Sequence, residues 1–372
     1  MGSDRQSIAA VDLFCGAGGL SLGLQQAGID VVAGVDLDPS CEYPYKENIR
    51  AEFLLKDVAQ VSGADLTALW PADGYRLLAG CAPCQPFSSH RRGADTSGED
   101  NWALLSHFAR LVEESEPDYV TMENVTRVAR AEVFQAFVEK LRALGYHATY
   151  GVLYGPDFGL PQERRRLVLM ASRQGTVKLP TPTTGRGLPP TVRDTISHLP
   201  RLHHGESDPA DPLHTARRLT PLNAKRMRAS KAGGTWRDWP EELLAPCHRK
   251  ATGASFQAFY GRMQWDTPSP TITTQSYNFG TGRFGHPEQD RSITLREAAM
   301  LQGFPKTYKF TPPGTAPSMR AIGRLIGNAV PPPLGVAIGT EFLDARDAHQ
   351  TRPAGDAPEP TPGGTPVSGG QP

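Results

Sequence analysis

Two cysteines, Cys81 and Cys84, lie in a short proline-rich segment. The Cys-x-x-Cys spacing is compatible with a redox pair or with half of a zinc site. A structural zinc needs two more ligands, and the only adjacent candidates, Cys247 and His248, are distant and do not form a second pair. A thioredoxin-like pair would need a helix that opens at the first cysteine, which the prolines disfavour. The segment therefore favours a thiolate that is held in a rigid turn and acts as a nucleophile.

A glycine-rich segment, DLFCGAGG at 12–19, follows an apolar run and precedes residues with helical spacing. Glycines there let the backbone approach a ligand closely. The third glycine of the dinucleotide fingerprint is replaced by Ser21, and no lysine follows as in a phosphate loop. Asp36 ends the next apolar run, where a carboxylate can accept both ribose hydroxyls. This predicts a site for a nucleoside without a pyrophosphate, such as S-adenosylmethionine; a plain glycine-rich turn is the alternative.

An acid and a basic cluster follow two further parts of the chain. Glu123 ends the apolar run YVTME, and a carboxylate at the end of a buried strand is costly unless it has a partner. Arg164 and Arg166, in QERRR at 162–166, would point to the same face of an extended segment. Taken singly, an exposed acid and a solvated basic turn are the simpler interpretations.

Alternating strand and helix signals must position these residues. Apolar runs predict strands at 8–14, 31–36, 75–80, 119–123 and 167–171, and helical spacing predicts helices at 20–27, 102–114, 132–144, 294–301 and 334–345. This alternation predicts βα units on a mostly parallel sheet, with ligands at the carboxyl ends of its strands. Residues 180–221 are rich in Pro, Thr, Gly and His, which indicates a boundary or an irregular second domain.

The overall composition is that of a soluble protein. The formal net charge is zero, so binding to nucleic acid must depend on local patches. Five cysteines, an odd number, argue against a disulfide framework. No apolar run approaches the roughly 20 residues that span a membrane, and residues 1–10 lack the pattern of a signal peptide. We therefore expect a cytoplasmic protein without membrane contact.

An ordered series of motifs resembles the DNA cytosine-5 methyltransferase family of bacterial type. It consists of DLFCGAGG at 12–19, PCQPFS at 83–88, MENV at 122–125, QERRR at 162–166, TPSPTITT at 267–274, RSITLREAAMLQGFP at 291–305 and GNAVPPPLG at 327–335. The resemblance implies the α/β fold of S-adenosylmethionine-dependent methyltransferases, with a mostly parallel, doubly wound sheet and a smaller irregular target-recognition domain. The expected divisions are a catalytic domain at 1–180, a target-recognition domain at 181–322, a return segment at 323–347 that completes the catalytic domain, and a disordered tail at 348–372.

The resemblance also implies a mechanism. Cys84 would add to C6 of cytosine and thereby activate C5, while Glu123 would protonate N3 and hold the exocyclic amine. Arg166, together with Arg164, would bind O2 and a nearby phosphate. Because the target carbon is out of reach in a stacked duplex, the base must flip out. The loop at 86–101 would close over it.

The implied cofactor is S-adenosylmethionine, and no metal is expected. The glycine-rich loop would contribute Phe14, Gly16, Ala17, Gly18 and Leu20. Asp36 would bind the ribose, and it is shorter by a methylene than the Glu that is common in the family. The remaining contacts implied by the resemblance are Leu37 on the adenine, Asp57 and Val58 at its edge, Pro83, and Asn328, Ala329 and Val330 at the methionine end.

The implied partner is double-stranded DNA, bound near the nucleophile by Gln85, Ser88, Arg91 and Arg92. Residues 213–237 contain seven Lys or Arg and no acid, which favours contact with phosphates. The contacts expected there are Arg217, Arg218, Lys225 and Arg226, and a solvated basic face is the alternative. We expect a monomer, with a separately encoded restriction endonuclease as a further partner.

Two related functions are alternatives. RNA methyltransferases of the same fold usually carry Cys-Phe-Thr in the second domain, whereas here Cys247 is followed by His248 and Arg249. A non-catalytic DNA-binding relative would tend to lose the nucleophile or the acid, yet Cys84 and Glu123 are both present.

Overall fold

A seven-stranded sheet forms the centre of the computed structural model, which describes residues 6–83, 100–183, 188–250 and 258–351. Its strands are β1 (Ile8–Leu13), β2 (Asp30–Asp36), β3 (Glu52–Leu55), β4 (Tyr75–Gly80), β5 (Tyr119–Asn124), β6 (His147–Tyr154) and, after the short β7 (Gln162–Glu163), β8 (Arg165–Ser172). The order across the sheet is β3-β2-β1-β4-β5-β8-β6. All strands except β8 run in one direction, since β8 is antiparallel to both of its neighbours. The predicted mostly parallel α/β sheet is confirmed.

Helices cover both faces of this sheet. The helices that connect its strands are α1 (Gly19–Ala27), α2 (Glu42–Ile49), α3 (Gly63–Leu69), α4 (Asp100–Ser115) and α5 (Glu132–Ala143). Side chains of β1 alternate between two buried clusters, with Ile8 and Ala10 on one face and Val11 and Leu13 among those on the other. Because both faces are buried, the strand reads as a continuous apolar run.

The chain after β8 contains few regular elements until its last three helices. These elements are α6 (Val192–Ile196), β9 (Ser207–Asp208), β10 (Asp211–Thr215), α7 (Pro221–Ala229), β11 (Ser269–Pro270), α8 (Leu295–Leu301), α9 (Met319–Asn328) and α10 (Pro332–Gln350). β11 pairs with β7, and this links the irregular region to the strands of the large sheet. A separate apolar cluster contains Met227, Trp236, Trp239 and Phe279. The domain boundaries that we expect from the sequence stay a prediction.

The last helix returns to the large sheet. α10 packs against α1 so closely that a Cβ on Gly23 would lie 2.6 Å from the Cα of Gly335. The ring of Phe342 lies 5.2 Å from that of Tyr119 in β5. The helix continues to Gln350, so residues 348–350 are helical, although we expected them in the tail. The rest of the expected tail, residues 352–372, lies outside the described residues.

Candidate active site

The carboxyl ends of β1, β2, β4 and β5 meet at one edge of the sheet. β1 pairs with β2 on one side and with β4 on the other, so the chain changes direction across the sheet at this point. Ligands of open α/β sheets bind outside the strand ends at such a switch point. The segments that meet there contain the glycine-rich loop (residues 14–18), Asp36, Cys81 and Glu123.

The glycine-rich loop has a left-handed backbone at three positions, Phe14, Gly16 and Gly18. A Cβ on Gly16 would meet no atom within 4 Å, so this position faces open space. A Cβ on Gly18 would instead lie 2.8 Å from Cγ1 of Ile49, so packing requires glycine there. The loop therefore has a closely packed side and a side that leaves room for a ligand.

Asp36 is tied to this loop. Its Oδ2 accepts a hydrogen bond of 2.9 Å from the Gly16 amide, and its Oδ1 accepts one of 2.9 Å from the Asp38 amide. Burial raises the pKa of Asp36 above its usual range. Leu37 follows with 66% of its surface exposed, which is unusual for leucine and suits contact with a flat apolar ligand.

The other expected cofactor residues differ in their access to this edge. Asp57 is partly exposed, and its carboxylate accepts a hydrogen bond of 2.9 Å from the Ala59 amide. Pro83 and Asn328 are exposed, and Ala329 is partly buried. Side chains at four other expected positions are buried, so these residues support the site by packing; they are Ala17, Leu20, Val58 and Val330.

Glu123 is a buried carboxylate with two contacts at this edge. Its Oε2 accepts a hydrogen bond of 3.0 Å from the Cys81 thiol. Its Oε1 lies 3.0 Å from Nε of Arg166, in an ion pair without the alignment of a hydrogen bond. The amide of Asn124 donates to the Ala82 carbonyl at 3.2 Å and holds the start of the cysteine loop. Five expected site residues of that loop lie outside the described residues: Cys84, Gln85, Ser88, Arg91 and Arg92.

Arg164 does not share a face with Arg166 as the sequence predicts. The Arg164 amide donates to the Gln162 carbonyl, and the Arg164 carbonyl accepts from the Gly155 amide, both at 2.8 Å. This irregularity lies between β7 and β8 and breaks the alternation of an extended strand. The Arg164 side chain is only 2% exposed, and burial lowers its pKa to about 9.

The basic stretch of the irregular region also divides in two. Arg217, Arg218 and Lys225 are exposed, as contact with phosphate requires. Arg226 is buried, with Nε donating to the Leu243 carbonyl at 2.8 Å. Its guanidinium lies 5.3 Å from the centre of the Trp239 ring. Arg226 is therefore a packing residue here, which differs from our expectation of a DNA contact.

The sequence analysis missed two sets of buried polar residues. Asp12 lies beneath the glycine-rich loop and accepts a hydrogen bond of 2.6 Å from Ser21. Gln162 and Gln302 donate and accept between β7 and α8, at 2.8 Å. All four lie in the glycine-rich segment, in the helix that follows it, or in the motifs quoted above, so the available signal was their presence in or beside motifs that were read only for charge.

Two structural classes were also searched. In the described ranges, no group of three or more His, Cys, Asp or Glu side chains is placed to hold a metal ion. Nor does any helix in this part of the chain combine the length and apolar character needed to cross a membrane.

Comparisons with known proteins agree on one family. The model of the C-5 cytosine-specific DNA methylase family matches residues 8–344. The Type II methylase M.HgiDII of Herpetosiphon aurantiacus is 49% identical over 92% of this chain and 98% of its own length. The Type II methyltransferase M1.HphI of Haemophilus parahaemolyticus is 32% identical over 91% and 87% of the two chains.

Solved structures agree in fold. A prophage-encoded E. coli protein, assigned as a DNA modification methyltransferase, superposes with a TM-score of 0.70 at 21% identity, over 92% of this chain and all of that one. The Dnmt2 methyltransferase of S. pombe gives a TM-score of 0.61 at 17% identity, over 93% of this chain and all of that one. With the match at 8–344, these findings show that the chain belongs to the C-5 cytosine-specific DNA methylase family, the enzymes that methylate cytosine in DNA at C5.

Proposed function

We propose that this enzyme transfers the methyl group of S-adenosylmethionine to a cytosine that has flipped out of a DNA duplex, through a covalent bond between Cys84 and C6. The observation that carries this proposal is the contact between Glu123 and Arg166 at the switch point of the sheet, 3.0 Å from Oε1 to Nε. It places a buried acid and a permanent cation beside the start of the cysteine loop. These are the groups that a cytosine ring needs when a thiolate adds to it.

The proposed chemistry assigns one task to each group. The Cys84 thiolate adds to C6, and electron density moves to N3 and C5. Glu123 donates a proton to N3, so the ring stays neutral while C5 becomes nucleophilic. Arg166 donates to O2 and keeps the Glu123 carboxyl oriented through its second oxygen. Once C5 carries the methyl group, loss of the C5 proton expels the thiolate and restores the aromatic ring.

The residues at the strand ends fit S-adenosylmethionine, which when bound would supply the electrophilic methyl group. Gly16 faces open space, Asp36 presents a partly exposed carboxylate, and Leu37 presents an exposed apolar side chain. Asp36 would accept from the ribose hydroxyls, and Leu37 would pack on the adenine. Asn328, at the end of α9, would contact the methionine portion.

We propose further that the irregular region after β8 binds the duplex. Its exposed cations, Arg217, Arg218 and Lys225, would contact phosphates. The names of the two relatives as Type II methylases support a partnership with a separately encoded restriction endonuclease, and the separate apolar cluster around Met227 supports a smaller target-recognition domain.

The test is a duplex that carries 5-fluorocytosine at the target position, since fluorine cannot leave as a proton and the covalent adduct persists. The target is first found by bisulfite sequencing of DNA from cells that express the protein. We expect the wild type to form an adduct that survives denaturation, and tryptic mapping to place it on Cys84.

Cys81→Ser is the matched control, because its hydroxyl keeps the hydrogen bond to Glu123 and the variant should still form the adduct. Cys84→Ser should lose the adduct and methylation while it still binds S-adenosylmethionine. An adduct on Cys81, or methylated DNA from cells that express Cys84→Ser, would refute the assignment of the nucleophile.

A further inference from the structure

A network of buried side chains joins β7 to the Asn328 segment (residues 327–330). Gln162 donates to Oε1 of Gln302 at 2.8 Å and accepts from the Ile272 amide at 2.9 Å. Gln302 in turn donates to the Ala329 carbonyl at 2.6 Å. Three pieces of chain that are far apart in sequence are thus held by two glutamines.

Arg164 completes this network. Its Nη1 donates to the Ile272 carbonyl at 3.2 Å, and its Nη2 donates to the carbonyls of Gly327 and Ala329 at 3.2 and 3.3 Å. Two of these carbonyls stand at the end of α9, where unpaired helix carbonyls carry partial negative charge and favour a cation. A buried guanidinium is costly unless its donors are met, and here carbonyl oxygens meet both terminal nitrogens.

The two carbonyls that bind Nη2 flank Asn328, the residue that we assign to the methionine end of the cofactor. On its other side this segment touches the helix after the glycine-rich loop, since a Cβ on Gly19 would clash with the Val330 carbonyl. Arg164 also stands two residues before Arg166, which contacts Glu123. One short stretch of chain therefore reaches both the proposed base site and one wall of the proposed cofactor site.

We propose that Arg164 is a positioning residue that fixes the Asn328 segment and thereby sets the affinity for S-adenosylmethionine, rather than a residue that touches DNA. This inference rests on the proposed function. To reach a base or a phosphate, Arg164 would have to give up three hydrogen bonds to carbonyls and leave a buried site. Arg166, which is 15% exposed in its side chain, has no such restraint.

The test compares Arg164→Lys with Arg166→Lys. An ammonium is compact and strongly hydrated, and it cannot span the three carbonyls that the planar guanidinium reaches. We expect Arg164→Lys to weaken S-adenosylmethionine binding, measured by calorimetry without DNA, by about tenfold or more, the effect of losing one charge-assisted hydrogen bond. The KM for the cofactor should rise while kcat changes little. Arg166→Lys should keep cofactor affinity and lose methylation rate.

Gln302→Met provides a second route that changes no charge. It removes the other donor to the Ala329 carbonyl, so cofactor affinity should fall and amides 326–331 should exchange hydrogen faster in the free protein. Should Arg164→Lys show no cooperative melting transition, the decision passes to this variant. Because both residues serve one carbonyl, the double variant should lose less affinity than the sum of the single variants.

Three outcomes decide the matter. Unchanged cofactor affinity in both variants, with unchanged exchange at 326–331, overturns the positioning role. Unchanged cofactor affinity in Arg164→Lys, with a smaller salt dependence of duplex binding, overturns it in favour of contact with phosphate. If the wild type itself does not bind S-adenosylmethionine, the proposed function fails first, which is a separate result.

Discussion

Replacing Asp12 by asparagine should change how the stability of this protein depends on pH. Asp12 is buried beneath the glycine-rich loop, where its Oδ2 accepts from Ser21, whose hydroxyl also lies 3.0 Å from the Tyr45 hydroxyl. Burial raises the pKa of Asp12 from 3.8 to about 7; the Ser21 hydrogen bond lowers this pKa, and the nearby charge of Asp36 raises it. The folded protein therefore holds a proton on this carboxyl across a pH range where the unfolded chain releases it.

The size of the effect follows from that difference. Between 3.8 and about 7, at about 1.4 kcal/mol for each pH unit, the maximum change is about 4 kcal/mol. Below pH 4 the carboxyl is neutral in both states, so the full stability is present. As the pH rises from 4 to 7, only the unfolded state ionises, and the free energy of unfolding falls. Above pH 7 both states are ionised and this contribution becomes constant.

Urea unfolding of the wild type and Asp12→Asn between pH 4.5 and 8 measures the effect. Asparagine does not titrate and can still accept from Ser21, so the difference between the two curves isolates the carboxyl. The wild type should lose stability relative to the variant as the pH rises to 7, by at most about 4 kcal/mol.

Asp65→Asn is the matched control for this measurement. The hydrogen bond from Lys56 lowers the pKa of Asp65 to about 2, so this group stays ionised throughout the range and its difference curve should be flat. A flat difference curve for Asp12→Asn as well would refute the argument that burial keeps Asp12 protonated.

Three further predictions concern the site and its partner. Glu123→Gln should slow single-turnover methyl transfer by about 10²–10⁴ while duplex affinity changes little, because it removes the acid at N3; an unchanged rate would exclude that role. Neutralising the exposed cations should lower the salt slope of duplex binding by about 0.9 for each lost phosphate contact, whereas Arg226→Gln should lower the melting temperature and leave the slope unchanged; the exposed cations are Arg217, Arg218 and Lys225. Removing residues 352–372, which are rich in Pro and Gly, should leave activity and the melting temperature unchanged, and a drop of several degrees would contradict this.

The strands that the sequence predicts are those with two buried faces. β1, β4 and β5 form near-continuous apolar runs because helices cover both sides of the sheet. The sequence analysis missed β3 and β6, which stand at the two edges. β6 is mostly half-buried, and its Val152 is 51% exposed, so it has neither a continuous run nor a clean alternation. A pattern of burial can be predicted only where burial is complete on at least one face.

The site follows the same division. The spacing between Gly16 and Asp36 was enough to bring them to one strand edge, because a βα unit has a regular geometry and carries each strand end to a fixed place. The network of Gln162, Gln302 and Arg164 could not be found in this way. Its bonds join residues that are more than a hundred positions apart, and each partner atom is a backbone carbonyl or an amide, which carries no sequence signal.

The three arginines of known surroundings show what limits such inference. Arg166 lies within β8, where the strand geometry holds, and it meets the acid that the sequence assigned to it. Arg164 lies in the irregular step between β7 and β8, so the rule that places alternate side chains on one face fails at that residue. Arg226 belongs to a helix whose basic side packs on aromatic rings. All three carry the same charge, and the local backbone decides whether that charge meets a carboxylate, carbonyl oxygens or an aromatic face. The role of a cation can therefore be predicted from spacing only where regular secondary structure continues through it.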